Sequence, residues 1–136
     1  MAFNVDFILK VILATLLGGI IGFEREFRQR PAGLRTHILV SLGSMLFTVV
    51  SFQFFQNADP SRVTSGIVTG VGFLGAGAII AAREKIVGIT TAATLWVVAA
   101  VGLAIGVGLY LESIIVALLV YIVLEISPVF GLKAKG

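Results

Sequence analysis

Five apolar runs, each about as long as a lipid bilayer is thick, fill most of this 136-residue chain. They extend from about Val5 to Phe23, Arg35 to Phe55, Val63 to Ala82, Thr91 to Gly108 and Leu111 to Val129. A spanning helix needs about 20 predominantly apolar residues, so each run predicts one transmembrane helix. Four spans and a re-entrant segment are the alternative count. Nothing alternates apolar and polar with period two over barrel-strand length, so the expected class is all-α. The composition agrees: 58% of residues are hydrophobic and 12% charged, and the mean hydropathy is +1.09. A soluble domain is about a quarter charged, and so few charges could not cover a surface in water. The chain reads as one integral membrane domain over residues 1–136, a bundle of about five transmembrane helices with small-residue packing. Its first partner is the bilayer.

The connecting segments carry the orientation. Loop 1 holds Arg25, Arg28, Arg30 and Arg35, and loop 2 only Arg62. Loop 3 holds Arg83 and Lys85, loop 4 no cation, and the tail Lys133 and Lys135. Basic residues are retained in the cytoplasm. The alternation therefore places the N-terminus outside and the C-terminus in the cytoplasm. The same bias accounts for a pI near 9.7 without nucleic acid. The opening "MAFNVDFILK" has no basic leader and is expected to be a retained helix. The short tail is expected to carry no soluble domain. There is no cysteine and one histidine, which excludes thiolate nucleophiles, Cys-type metal sites and a multi-His zinc site.

Gly18 and Gly22, Gly66 and Gly70, and Gly102 and Gly106 are each four apart, as are Gly72 and Ala76. Such spacings let backbones approach closely where lipid removes the hydrophobic drive. The third helix carries small residues on several faces, so it is expected inside the bundle or at a dimer seam. A break at Gly75 and Gly77, exposing backbone at a transport site, is the alternative. This glycine cluster lacks the Gly-Lys-Ser/Thr end of a phosphate loop. Lys10 follows Asp6 by one turn and should pair with it. Glu125 should reach the interface or pair with a loop arginine.

Most of the charge sits in "GFEREFRQRPAGLRTH", residues 22–37. If the first helix continues to Gln29, Glu24–Arg28 and Glu26–Arg30 are favourable pairs. Pro31 disfavours helix at Arg30, and Gly33 allows the turn into the second helix. Thr90 or Thr91 is the expected cap of the fourth helix. Two helix N-termini then face the arginine layer, an anion-friendly surface; a plain positive-inside anchor is the alternative. The candidate ligand- or partner-binding residues are Glu24, Arg25, Glu26, Arg28, Arg30, Arg35, Thr36, Thr90 and Thr91. Candidates for helix packing or a dimer interface are Gly18, Gly22, Gly66, Gly70, Gly72, Gly75, Gly77, Trp96, Gly102 and Gly106. No nucleophile–base pair, metal set or cofactor fingerprint is present, so no catalytic or metal-ligating residue is assigned.

Three segments, "GFEREFRQRPAGLRTHILVSLGS", "SGIVTGVGFLGAGAII" and "GITTAATLWVVAAVGLAIGVG", together resemble the MgtC/SapB family of bacterial inner-membrane proteins. The likeness rests on Glu24, Arg25, Arg28, Arg30, Ala32, Gly33, Leu34, Arg35 and Thr36. It continues through Gly72, Phe73, Leu74, Gly75 and Gly77, then Thr90, Thr91, Ala92, Ala93, Leu95 and Trp96. Many members carry an ACT-like domain after the last helix; this chain is expected to be a short member without one, with a piece of a longer protein as the alternative. Familiar members often have Asn where this chain has Thr90. The resemblance implies adaptation to low magnesium and virulence. The expected role is non-enzymatic: regulation of membrane ion or phosphate homeostasis, with ATP synthase or a transporter as partner and a homo-oligomer, a dimer, as the assembly. Magnesium or other ion transport is the alternative. No cofactor is implied, with magnesium the only candidate ion.

Overall fold

The computed structural model describes residues 4–55, 59–80 and 88–129. These form five helices and no strand: α1 (Val5–Phe27), α2 (Leu34–Phe54), α3 (Ser61–Ile80), α4 (Ile89–Val107) and α5 (Tyr110–Val129). The expected all-α class and helix count hold, with boundaries shifted by a few residues. By length and composition α1 to α4 can each cross a membrane. At about 1.5 Å per residue, the 20 residues of α5 also span about 30 Å. The protein is a multi-pass membrane protein. The expected loop 3 cations Arg83 and Lys85 and tail cations Lys133 and Lys135 lie outside the described residues.

Local chemistry sets the helix ends. Asn4 accepts from the Phe7 N–H and caps α1. Asp59 accepts from the Ser61 N–H and opens α3. Gly108 ends α4 at φ 95°, a left-handed conformation that glycine adopts without a steric penalty. Contrary to expectation, neither Thr90 nor Thr91 caps α4. The cap position is Gly88 at φ 98°, where a Cβ would lie 2.7 Å from the Ala78 carbonyl oxygen. Thr90 and Thr91 both lie inside the first turn of the helix.

The bundle is organised around α2 and α4. Helix α4 touches all four others, α5 leans on α1 and α4, and α3 packs on α4 with little contact to α2. Two glycine seams clamp α2. A Cβ at Gly18 or Gly22 of α1 would meet His37, Ser41 or Leu34 at about 2.9 Å. One at Gly102 of α4 would strike the Ser41 carbonyl, and one at Gly106 would lie 2.6 Å from Thr48. Both expected small-residue pairs are therefore intramolecular packing sites. Between them α2 buries a polar row: His37, Ser41, Ser44, Thr48 and Ser51. The 4-3-4-3 spacing puts all five on one face. Lipid offers hydroxyls no partner, so they turn inward. Apolar packing fills the rest of the interior, through Ile21, Met45, Val98 and Ile105.

Helix α3 departs from expectation. It does not sit inside the bundle; only about a tenth of it is buried, against half of α4. Gly66, Gly70, Gly72 and Gly77 face open space, and only Gly75 meets a neighbour, Ala92. Nor does α3 break at Gly75 and Gly77, since helix runs unbroken from Ser61 to Ile80. Between α2 and α3 lies a groove of about 720 Å³, lined by Thr36, Val40, Phe47, Gly66, Gly70 and Leu74 among others. Trp96 is 52% exposed on the outer surface and joins no internal seam.

Candidate functional site

The charged stretch folds into the end of the bundle where α1 stops, α2 and α4 start and α5 finishes. Helix α1 closes with a Schellman motif. The Gln29 N–H donates to the Glu26 carbonyl and the Arg30 N–H to the Arg25 carbonyl. Gln29 takes the left-handed position at φ 54° that glycine usually fills. Pro31 follows and sends the chain into α2.

The side chains separate into two groups. Glu24 and Arg25 are each 3% exposed. Glu24 accepts from Arg25 Nε, and its second oxygen accepts from Arg28 Nε at 2.5 Å. Arg28 reaches on to Glu125 of α5 at 2.9 Å. The expected Glu24–Arg28 pair and the expected loop-arginine partner for Glu125 thus form one network, fastening α1 to α5. Around Glu26 the arrangement differs from expectation. Its carboxylate accepts from the Leu34 N–H at 2.8 Å and no pair with Arg30 forms. The chain's own anion thereby occupies the α2 N-terminus, which was expected to be open to a ligand. Gly33 makes this possible, because a Cβ there would lie 2.7 Å from the Glu26 carboxylate.

The remaining candidates spread outward. Arg35 is exposed and Thr36 half-buried on the groove wall. Arg30 Nε is buried without a hydrogen-bond partner. Thr90 is exposed and Thr91 buried, and neither bonds to an arginine among the described residues. Missed by the reading of the sequence was the layer just beneath: buried His37 with Thr94, and Ser41 with an unpartnered Oγ. The signal was available, since His37, Ser41, Ser44, Thr48 and Ser51 repeat every three or four residues in an apolar helix. At the opposite end Lys10 pairs with Asp6 at 3.0 Å, as expected. Asp6 also accepts from the Tyr110 hydroxyl.

Chemically this end can hold a helix assembly together and present Arg30 and Arg35 to an acidic group. Its carboxylates among the described residues are poorly placed to hold magnesium. That ion needs one or two available carboxylates with its waters. Both Glu24 oxygens are engaged by arginines, one Glu125 oxygen by Arg28 and one Glu26 oxygen by a backbone N–H.

A family model described as MgtC family matches residues 11–131. The Escherichia coli K12 protein named "Putative magnesium transporter YhiD" is 46% identical over 129 residues, covering 89% of this chain and 60% of that one. The "Protein MgtC" of Brucella abortus strain 2308 is 53% identical over 96 residues, covering 71% and 40%. An uncharacterized Haemophilus influenzae protein is 33% identical over 139 residues, covering 93% and 58%. The chain thus spans roughly half the length of the curated relatives it matches. No solved structure matches.

Proposed function

The chain belongs to the MgtC family, and from that premise we propose that it is a non-enzymatic regulator of ion or phosphate homeostasis in the bacterial inner membrane. In this reading the charged end faces the cytoplasm and the protein acts by binding a membrane partner, an ATP synthase or a transporter. The observation that carries the proposal is the open groove between α2 and α3, with Arg35 one helical turn from its Leu39 wall. Gly66 and Gly70 leave room there for another backbone. A partner helix with an acidic residue near its cytoplasmic end would fill the groove and meet Arg35. The exposed glycines of α3 serve the same proposal for a homodimer.

Ion transport is the second reading, favoured by the name of the Escherichia coli relative. Against it stand the engaged carboxylates. Purified protein in magnesium-loaded liposomes separates the two. The expected result is no flux above empty vesicles. Growth support at low magnesium should be lost in Arg35→Glu and in Gly70→Leu, although both insert and remain folded. Flux in the wild type, or full growth with both variants, would defeat the regulatory reading.

A further inference from the structure

His37 is the chain's one histidine and is completely buried in α2. A buried ionisable side chain at membrane depth is costly, so its hydrogen bonds need explaining. Its Nδ1 lies 2.8 Å from the Gly33 carbonyl oxygen. A carbonyl only accepts, so Nδ1 carries a proton. Its Nε2 lies 3.0 Å from the Thr94 hydroxyl oxygen, which itself lies 2.8 Å from the Thr91 carbonyl oxygen. The hydroxyl has one proton and two acceptors competing for it.

Two proton arrangements fit these contacts, and only the charged one makes all three hydrogen bonds. In the neutral state Nδ1–H donates to Gly33 and the Thr94 hydroxyl donates to a bare Nε2. In the charged state Nε2–H donates to the Thr94 oxygen, and the hydroxyl proton turns to the Thr91 carbonyl. All three contacts stay within hydrogen-bond range, so no heavy atom need move. Loading the proton reverses the Nε2–Thr94 bond and adds the Thr94–Thr91 bond, a net gain of one. A histidine built only as a packing residue needs a single satisfied state. Here the surroundings are prepared for both.

We propose that His37 is a reversible proton-binding site, with Thr94 as the rotor that accommodates loading and unloading. This goes beyond the regulatory reading and does not rest on it. The charged groups acting on His37 from α1 are Glu24 and Arg25, one of each sign. From α4 come Thr91 and Thr94, with no charge, and beyond Glu24 the network continues through Arg28 to Glu125 of α5. A proton on His37 therefore adds a positive charge directly beneath the network that ties α1 to α5. The site gives the charged end of the bundle a response to pH.

Because there is one histidine, protein labelled with 15N-histidine in lipid nanodiscs reports this ring alone. Ring 15N shifts separate protonated from bare nitrogens. Over a scan from about pH 8 to about pH 4, around the range where histidine ordinarily changes charge, Nδ1 should stay protonated and Nε2 should gain a proton. In Thr94→Val the charged Nε2–H has no acceptor, a larger loss than the neutral ring suffers. The midpoint should move to an at least tenfold higher proton concentration, and Thr94→Ser should restore it. A wild-type Nε2 that stays bare throughout would overturn the proposal, as would Thr94→Val titrating like the wild type. If Thr94→Val does not fold, the wild-type nitrogen pattern and the Thr94→Ser midpoint, expected to match it, decide.

Discussion

At Glu24 a buried carboxylate accepts from two guanidinium groups, while two positions along Glu26 lies exposed with one oxygen on a backbone N–H. In sequence the two look equivalent, each four residues before an arginine. Burial makes the difference. Removing Glu24 leaves Arg25 buried beside Arg28 with no shared counter-charge, and breaking a buried ion pair costs about 3–5 kcal/mol. Removing Glu26 uncaps one exposed N–H of α2, a loss of about 1 kcal/mol. Glu24→Ala should therefore lower the thermal unfolding midpoint in detergent much more than Glu26→Ala does. Equal effects would show that Glu24 is not a structural centre. Gly33→Ala should resemble Glu26→Ala, since the added methyl displaces the same carboxylate.

The glycine pairs of the helices look alike in sequence but differ in their surroundings. Gly102 and Gly106 face the backbone of α2, whereas Gly66 and Gly70 border the groove. A methyl at Gly102 would collide with the Ser41 carbonyl, which belongs to a helix backbone and cannot rotate away. Overpacking of this kind costs about 1–3 kcal/mol. A methyl at Gly70 meets nothing within 4 Å. Denaturation in mixed micelles should show Gly102→Ala destabilised and Gly70→Ala within about 0.5 kcal/mol of the wild type. Helix number and span were legible because bilayer thickness fixes them. So were the Glu24–Arg28 and Asp6–Lys10 pairs, which follow from helical spacing alone. The side on which a small-residue stripe finds its partner was not legible, because it depends on which helices are neighbours. Thus α3, richest in glycine, lies at the edge of the bundle and not inside it. The role of Glu26 was hidden because its partner, the Leu34 N–H, belongs to the next helix, and the cap at Gly88 because the carbonyl that a Cβ there would strike belongs to Ala78 of α3. The polar row of α2 could have been read from its 4-3 repeat, but its meaning needed Thr94, 57 residues away.

At the scale of the molecule the two ends of the bundle differ in charge, and the difference makes orientation testable. Arg25, Arg28, Arg30 and Arg35 lie at the end where α1 meets α2, against Glu24, Glu26 and Glu125. Among the described residues the other end holds Asp6, Lys10, Asp59, Arg62 and Glu112. Cations near short loops are held back from crossing, and carboxylates count for little in that bias. Four arginines near one short loop should therefore fix the charged end in the cytoplasm. The chain has no cysteine, so one introduced thiol reports one position without background. Gln29 and Ser61 suit this: both side chains are exposed, they lie at opposite ends of α2, and neither side chain enters the ion network. In intact cells of a Gram-negative host, a thiol reagent small enough for the porins but unable to cross the inner membrane should label Ser61→Cys and spare Gln29→Cys. After the membrane is opened, both should react. The reverse pattern would put Arg35 and the His37 layer at the outer face. A cytoplasmic partner could then not reach Arg35, and the pH sensed through His37 would be that of the outside.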